Sequence, residues 1–115
     1  MKIQGIFRNS RDVREVAAGS VIFEEGSQGD EMFGVIEGQV ELRLHDGHLF
    51  KIDPDDTFGE MAVIDSSPRS ATAVATVDTK LAVIDKSRFL FLVHETPTFA
   101  LQVMATLAER LRVRE

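Results

Sequence analysis

From residue 13 to about 85, short apolar or alternating runs are broken by Gly, Asp, Asn and Ser, the pattern of antiparallel strands joined by turns. Val40, Leu42 and Leu44 alternate with Glu41, Arg43 and His45, so one face of this strand points inward and the other at water. Asp46-Gly47 then predicts a two-residue hairpin turn into the run LFKIDP. Gly19, the stretch from Gly26 to Asp30, and Gly38 mark further turns. Turns recurring about every eight to twelve residues suit a sandwich or small barrel. After TKLAVID, where Leu81 and Val83 suggest a last strand, the period lengthens to that of a helix. Ser87 is placed to cap RFLFLVHE, and Thr96-Pro97 offers a capping Thr before a first-turn Pro. Phe99, Val103, Leu107 and Leu111 recur every four residues beside Ala100, Met104 and Ala108, an amphipathic helix of about four turns. That stripe can pack on the sheet or form a dimer seam. Ile3, Ile6 and Phe7 predict a short N-terminal helix packed at one end. No repeat or linker divides the chain, so one domain is expected: a helical segment over 1–12, a β roll over 13–85 and C-terminal helices over 86–115. The fold class is mainly β with flanking helices.

Composition narrows the chemistry. The 115 residues are 43% hydrophobic, enough for one compact core. With no cysteine, neither a disulfide framework nor a thiolate metal site nor a cysteine nucleophile is available, and a cytoplasmic location is the default. No apolar run suits a signal peptide or approaches the ~20 residues of a membrane span. A net charge of −6 works against tracking a nucleic-acid backbone, and the basic ERLRVRE end complements a helix dipole. His45 and His48 straddle the hairpin turn while His94 lies on a helix, which disfavours a shared metal sphere of the kind a cupin-like enzyme needs. Neither a Ser/His/Asp order nor paired acids support hydrolysis, so no catalytic residue is expected.

The candidate chemistry lies in FGEMAVIDSSPRSATA, residues 58–73. It sets a lone carboxylate, Glu60, nine positions before a lone guanidinium, Arg69, among small and apolar residues. The two form either a structural ion pair on a turn or two hands of a pocket. GEMAVI lacks alternation and predicts one short helical turn, its N–H groups turned outward and Gly59 allowing close approach. In RSATAVATV, Arg69, Ala71, Ala73 and Ala75 share one side of a strand, and small alanines beside an arginine leave room where a core would be filled. Arginine there suits a singly charged phosphate, gripped bidentately. A carboxylate is a poor phosphate neighbour unless the ligand also presents a hydroxyl, which points to a sugar phosphate or nucleotide.

These residues resemble a cyclic nucleotide-binding domain. The family's phosphate-binding cassette runs Phe-Gly-Glu, small or apolar residues, a short loop, often Pro, then Arg, a small residue and Ala; here these are FGEMAV and PRSATA. Upstream, AGSVIFEEGSQGDEMFGVIEGQVEL follows the family's turn-and-strand pattern, and the resemblance covers roughly residues 13–112. It implies an eight-stranded antiparallel, jelly-roll-like β roll with a short cassette helix and C-terminal lid helices. Glu60 would accept from the ribose 2′-hydroxyl and Arg69 would pair with the exocyclic phosphate oxygens. Backbone N–H groups of Gly59, Met61 or Ala62, and of Ser70 and Ala71, would complete the cradle. LAERLR resembles the lid sequence, which makes Arg110 a candidate for stacking on or bonding to the purine, against the plainer reading of a solvated helix arginine. The implied ligand is cAMP, with cGMP the competitor through the Ser70 hydroxyl; no cofactor or metal is implied. A sensor of this kind passes its signal to a downstream protein or fused effector, and the initial Met leans toward a free-standing protein. A degenerate domain used only for protein contacts is the rival, against which the intact Glu60 and Arg69 argue. Gly34 stands where the family often has a larger residue and is expected to loosen its strand.

Overall fold

In the computed structural model, which describes residues 2–114, eight strands form two four-stranded antiparallel sheets. The strands are β1 (Val13–Val16), β2 (Val21–Phe23), β3 (Glu31–Glu37), β4 (Val40–Arg43), β5 (Leu49–Ile52), β6 (Thr57–Phe58), β7 (Thr72–Ala75) and β8 (Thr79–Asp85). One sheet runs β1-β8-β3-β6 and the other β2-β7-β4-β5. Helix α1 (Met61–Ile64) follows β6, and α2 (Lys86–Glu95) and α3 (Thr98–Arg114) close the chain.

The two-residue side-chain period divides the apolar residues between two cores. Phe33 and Val35 of β3, Leu81 and Val83 of β8, and Val40 and Leu42 of β4 meet between the sheets, with Phe58, Ala71 and Ala73. Met32 of β3 and Ala82 and Ile84 of β8 face the other way, onto Phe7, Val63, Phe99 and Val103. β3 and β8 are therefore apolar on both faces, because helices cover the one that would otherwise meet water. Gly34 makes that second core possible: a Cβ there would lie 2.6 Å from Cδ2 and Cζ of Phe7, whose ring meets Phe99 edge-on at 6.0 Å. Far from loosening its strand, Gly34 admits an aromatic ring against it.

Three local expectations are corrected. Residues 4–9 form successive turns, with i to i+3 bonds from Ile6, Arg8 and Ser10, and not a helix. Gly5 takes φ 71°, and the Ile3 and Gly5 N–H groups donate to Gln102 Oε1 (2.7 Å) and Asp55 Oδ1 (3.0 Å) instead of starting a helical ladder. The hairpin loop holds three residues, His45 to Gly47: Leu44 N–H donates to His48 C=O at 3.0 Å, and Gly47 takes the left-handed position such loops require. Asp85, not Ser87, caps α2, its Oδ1 accepting the Arg88 N–H at 2.7 Å.

The stripe on α3 packs on the sheet at its start. Phe99 and Val103 are buried, Leu107 is half-buried and Leu111 is 61% exposed. Among the described residues, no helix is long and apolar enough to cross a membrane.

Candidate functional site

The chain turns sharply between β6 and α1, and Gly59 makes the turn at φ 79°. A Cβ at that position would lie 2.9 Å from Arg69 Nη1 and 3.3 Å from the Phe23 ring, so both backbone and space call for glycine. Helix α1 is the single turn expected of GEMAVI. Its own bonds begin with Val63 N–H to Glu60 C=O at 3.0 Å, which leaves the N–H groups of Met61 and Ala62 ahead of the ladder.

Glu60 opens α1 but does not cap it with its side chain. The carboxylate is 3% exposed and turned toward α3. Its Oε1 accepts from Thr57 Oγ1 at 3.2 Å and from Arg110 Nη1 at 3.0 Å, while Oε2 takes a longer 3.4 Å bond from the same Nη1. Arg110 Nη2 donates to the Thr57 C=O at 2.6 Å. Two of the alternatives left open by the sequence fall away here. Glu60 is not paired with Arg69; its cation comes from fifty positions along the chain. Arg110 is not a solvated arginine: its side chain is 16% exposed, and its terminal nitrogens are engaged with Glu60 and Thr57 rather than left pointing into open space for a base.

Arg69 lies across the site, 7% exposed. Its backbone is held both ways by the β2–β3 loop: its N–H donates to Ser27 C=O at 2.9 Å, and its C=O accepts from Gly26 N–H at 2.8 Å. Nη1 donates to Gly59 C=O at 3.2 Å, and the guanidinium carbon sits 4.1 Å from the centroid of the Phe23 ring. Among the described residues, Nε is buried without a hydrogen-bond partner. Burial pushes the guanidinium pKa below its ordinary value, against the opposing pull of Glu31, Asp30 and Glu60. A desolvated cation with an unmet donor costs about 1–3 kcal/mol, which an incoming anion would recover.

All eight residues singled out from the sequence, Gly59, Glu60, Met61, Ala62, Arg69, Ser70, Ala71 and Arg110, line one cavity of about 230 Å³. That volume is just below the ~300 Å³ at which typical small-molecule sites begin. The cassette supplies its polar groups. Its apolar wall comes from residues that pattern reading had assigned to the core or passed over: Leu42 and Leu44, Phe50 of β5, and Leu107 and Leu111 of α3. The signal for the last two was present in the four-residue interval on α3, which outruns the buried core and continues over the cavity. Phe23, read only as part of a strand, also lines it. The histidines lie elsewhere, His45 beside Glu25 at 3.2 Å and His94 beside Glu95 at 3.7 Å. Among the described residues no cluster of three His, Cys, Asp or Glu could hold a metal ion.

Comparison with known proteins agrees with this geometry. The model of the cyclic nucleotide-binding domain matches residues 13–96. The chain is 34% identical over 104 residues to the Pycsar effector protein XpPycTIR of Xanthomonas perforans, covering 90% of this chain and 34% of that protein. It is 38% identical over 99 residues to the cyclic AMP receptor protein of Thermus thermophilus, covering 82% of this chain and 46% of that protein. It thus spans less than half the length of these curated relatives. A solved structure described as "A cyclic-GMP-dependent signalling pathway regulates bacterial phytopathogenesis" superposes with a TM-score of 0.79 at 31% identity, covering 97% of this chain and 95% of that one. With the family's model matched across the roll and its cassette folded around a single cavity, the chain belongs to the cyclic nucleotide-binding domain family.

Proposed function

We propose that this domain is a ligand-responsive sensor that binds a cyclic purine nucleotide, cAMP in preference to cGMP. The observation that carries the reading is Arg69, which lines the cavity and whose buried Nε has no hydrogen-bond partner among the described residues. A cyclic phosphate supplies the missing acceptor. Arg69 takes its exocyclic oxygens, and backbone N–H groups of Gly59, Met61, Ala62, Ser70 and Ala71 complete the cradle. Glu60 accepts the ribose 2′-hydroxyl at Oε2, which among the described residues has one hydrogen bond, the long one from Arg110. The purine rests on Leu42, Leu44, Phe50, Leu107 and Leu111.

That apolar wall supports cAMP, because it offers no carboxylate or amide to accept from guanine's ring N–H and amino donors. The Thermus relative's name points the same way. A second reading, cGMP, is favoured by the Ser70 hydroxyl on the cavity and by the described pathway of the structural neighbour. Arg110 ties Glu60 to α3, so occupancy at the carboxylate reaches the lid helix through one ion pair. The ligand shifts α3 to the extent that it binds one of its arrangements better. The domain itself performs no chemistry; it works in the cytoplasm and hands the change in α3 to a separate protein or a fused effector.

Calorimetric titration of nucleotide-free protein with cAMP and then cGMP tests this. Saturable one-to-one binding, tighter for cAMP, is expected. A folded, nucleotide-free sample that binds neither would overturn the reading in favour of a module that only contacts proteins.

A further inference from the structure

The cassette provides Arg69 but does not by itself hold the guanidinium. Phe23, on β2, lays its ring 4.1 Å from the guanidinium carbon. The ring is braced in turn by Phe33 at 6.1 Å and Phe58 at 5.9 Å. Gly29, in the β2–β3 loop, lies against the Nε–Nη2 edge: a Cβ there would fall 2.6 Å from both Nε and Cζ. Gly29 is not among the glycines with positive φ, so the backbone does not demand glycine at 29; the space taken by Arg69 does. The Gly59 carbonyl engages Nη1, and among the described residues Nε is buried without an acceptor.

Resting on the proposed cyclic-nucleotide site, we infer that Phe23 and Gly29, both outside the cassette, are positioning residues: they form a slot that fixes the plane and direction of the Arg69 guanidinium, and so determine which exocyclic phosphate oxygen it takes. A free arginine carries rotamer entropy that binding would have to overcome. The slot removes much of that freedom before the ligand arrives. It also makes Gly29 separable from the fold. A methyl group there meets the flexible end of a side chain, so the guanidinium moves and the backbone stays.

The test uses the whole chain and four variants, Gly29→Ala, Phe23→Leu, Phe23→Tyr and Arg69→Ala. In the ligand-free protein, the NMR signal of the Arg69 Nε–H group should be shifted upfield by the Phe23 ring current, keep that shift in Phe23→Tyr, lose it in Phe23→Leu and move in Gly29→Ala. Calorimetry then compares cAMP with its two phosphorothioate diastereomers, in which sulfur replaces one or the other exocyclic oxygen. Wild type and Phe23→Tyr should separate the diastereomers by at least about tenfold, the scale of one charge-assisted bond. Gly29→Ala and Phe23→Leu should narrow the ratio to within about threefold and weaken cAMP by about tenfold or more. In an Arg69→Ala background, Gly29→Ala should change nothing further. Variants that keep the wild-type diastereomer ratio, or a Gly29→Ala loss that is equal with and without Arg69, would overturn the slot. Were the wild type to bind no nucleotide, the functional reading would fall separately, and the Nε signal would decide the slot: shifted supports it, unshifted sinks it.

Discussion

Replacing Arg69 with alanine should separate binding from folding, because the two draw on opposite properties of its guanidinium. On the folding side the variant loses one 3.2 Å bond to the Gly59 carbonyl and the stack on Phe23. Against that, it no longer buries a desolvated cation whose Nε lacks a partner. A charged hydrogen bond contributes ~1.5–3 kcal/mol and a desolvated cation–π contact ~2, while the unmet donor costs ~1–3 and burial of the charge adds to that cost. The lost contacts exceed the unmet donor by about 0.5–4 kcal/mol, a gap that the cost of burying the charge largely closes. Stability is expected to change by no more than about 1 kcal/mol, a Tm shift of at most ~4–8 °C. Binding has no such offset. Two charge-assisted bonds to the phosphate disappear, and even with water taking up part of the loss about 3 kcal/mol should go, on the order of a hundredfold in Kd. Thermal melting and calorimetry on the same preparation read both quantities. A folded variant that binds within about threefold of wild type would refute the assignment of Arg69 to the phosphate. A collapse in Tm beyond ~15 °C would make it a structural residue instead.

Two further substitutions test the surroundings. Arg110→Met keeps the side-chain stem but leaves the Glu60 carboxylate, 3% exposed, with the Thr57 hydroxyl as its one hydrogen-bond donor among the described residues; urea unfolding should show a loss of about 3 kcal/mol, and an unchanged midpoint would mean the pair is worth as little as one on the surface. Gly34→Ala sets a methyl 2.6 Å from a buried Phe7 ring that is wedged against Phe99 and cannot yield as Arg69 can; a destabilisation of about 2 kcal/mol with nucleotide affinity retained is expected, and wild-type stability would show that the second core has slack.

Much of this domain follows from sequence alone, and the reason is that its local rules are short-ranged. Alternation in β4, the helical period of α3 and the cassette's residue types depend on neighbours a few positions away, and each element formed where its pattern lay. The eight residues chosen for the site meet in one cavity because seven of them lie at the two ends of one cassette, and the roll brings those ends together. What sequence could not carry is partnership. Nothing in a one-dimensional pattern says that Glu60 takes its cation from α3 and not from Arg69, that Phe7 fills the space Gly34 leaves open, or that Gly29 stands aside for a guanidinium. The N-terminal segment failed as a helix for the same reason: its N–H groups found Gln102 and Asp55, and partners so distant in the chain exist only once the sheets have placed them. A side-chain period specifies which face an element buries. Which residue it meets there is decided by topology, because contacts far apart in sequence are set by how the strands pair and where the helices dock.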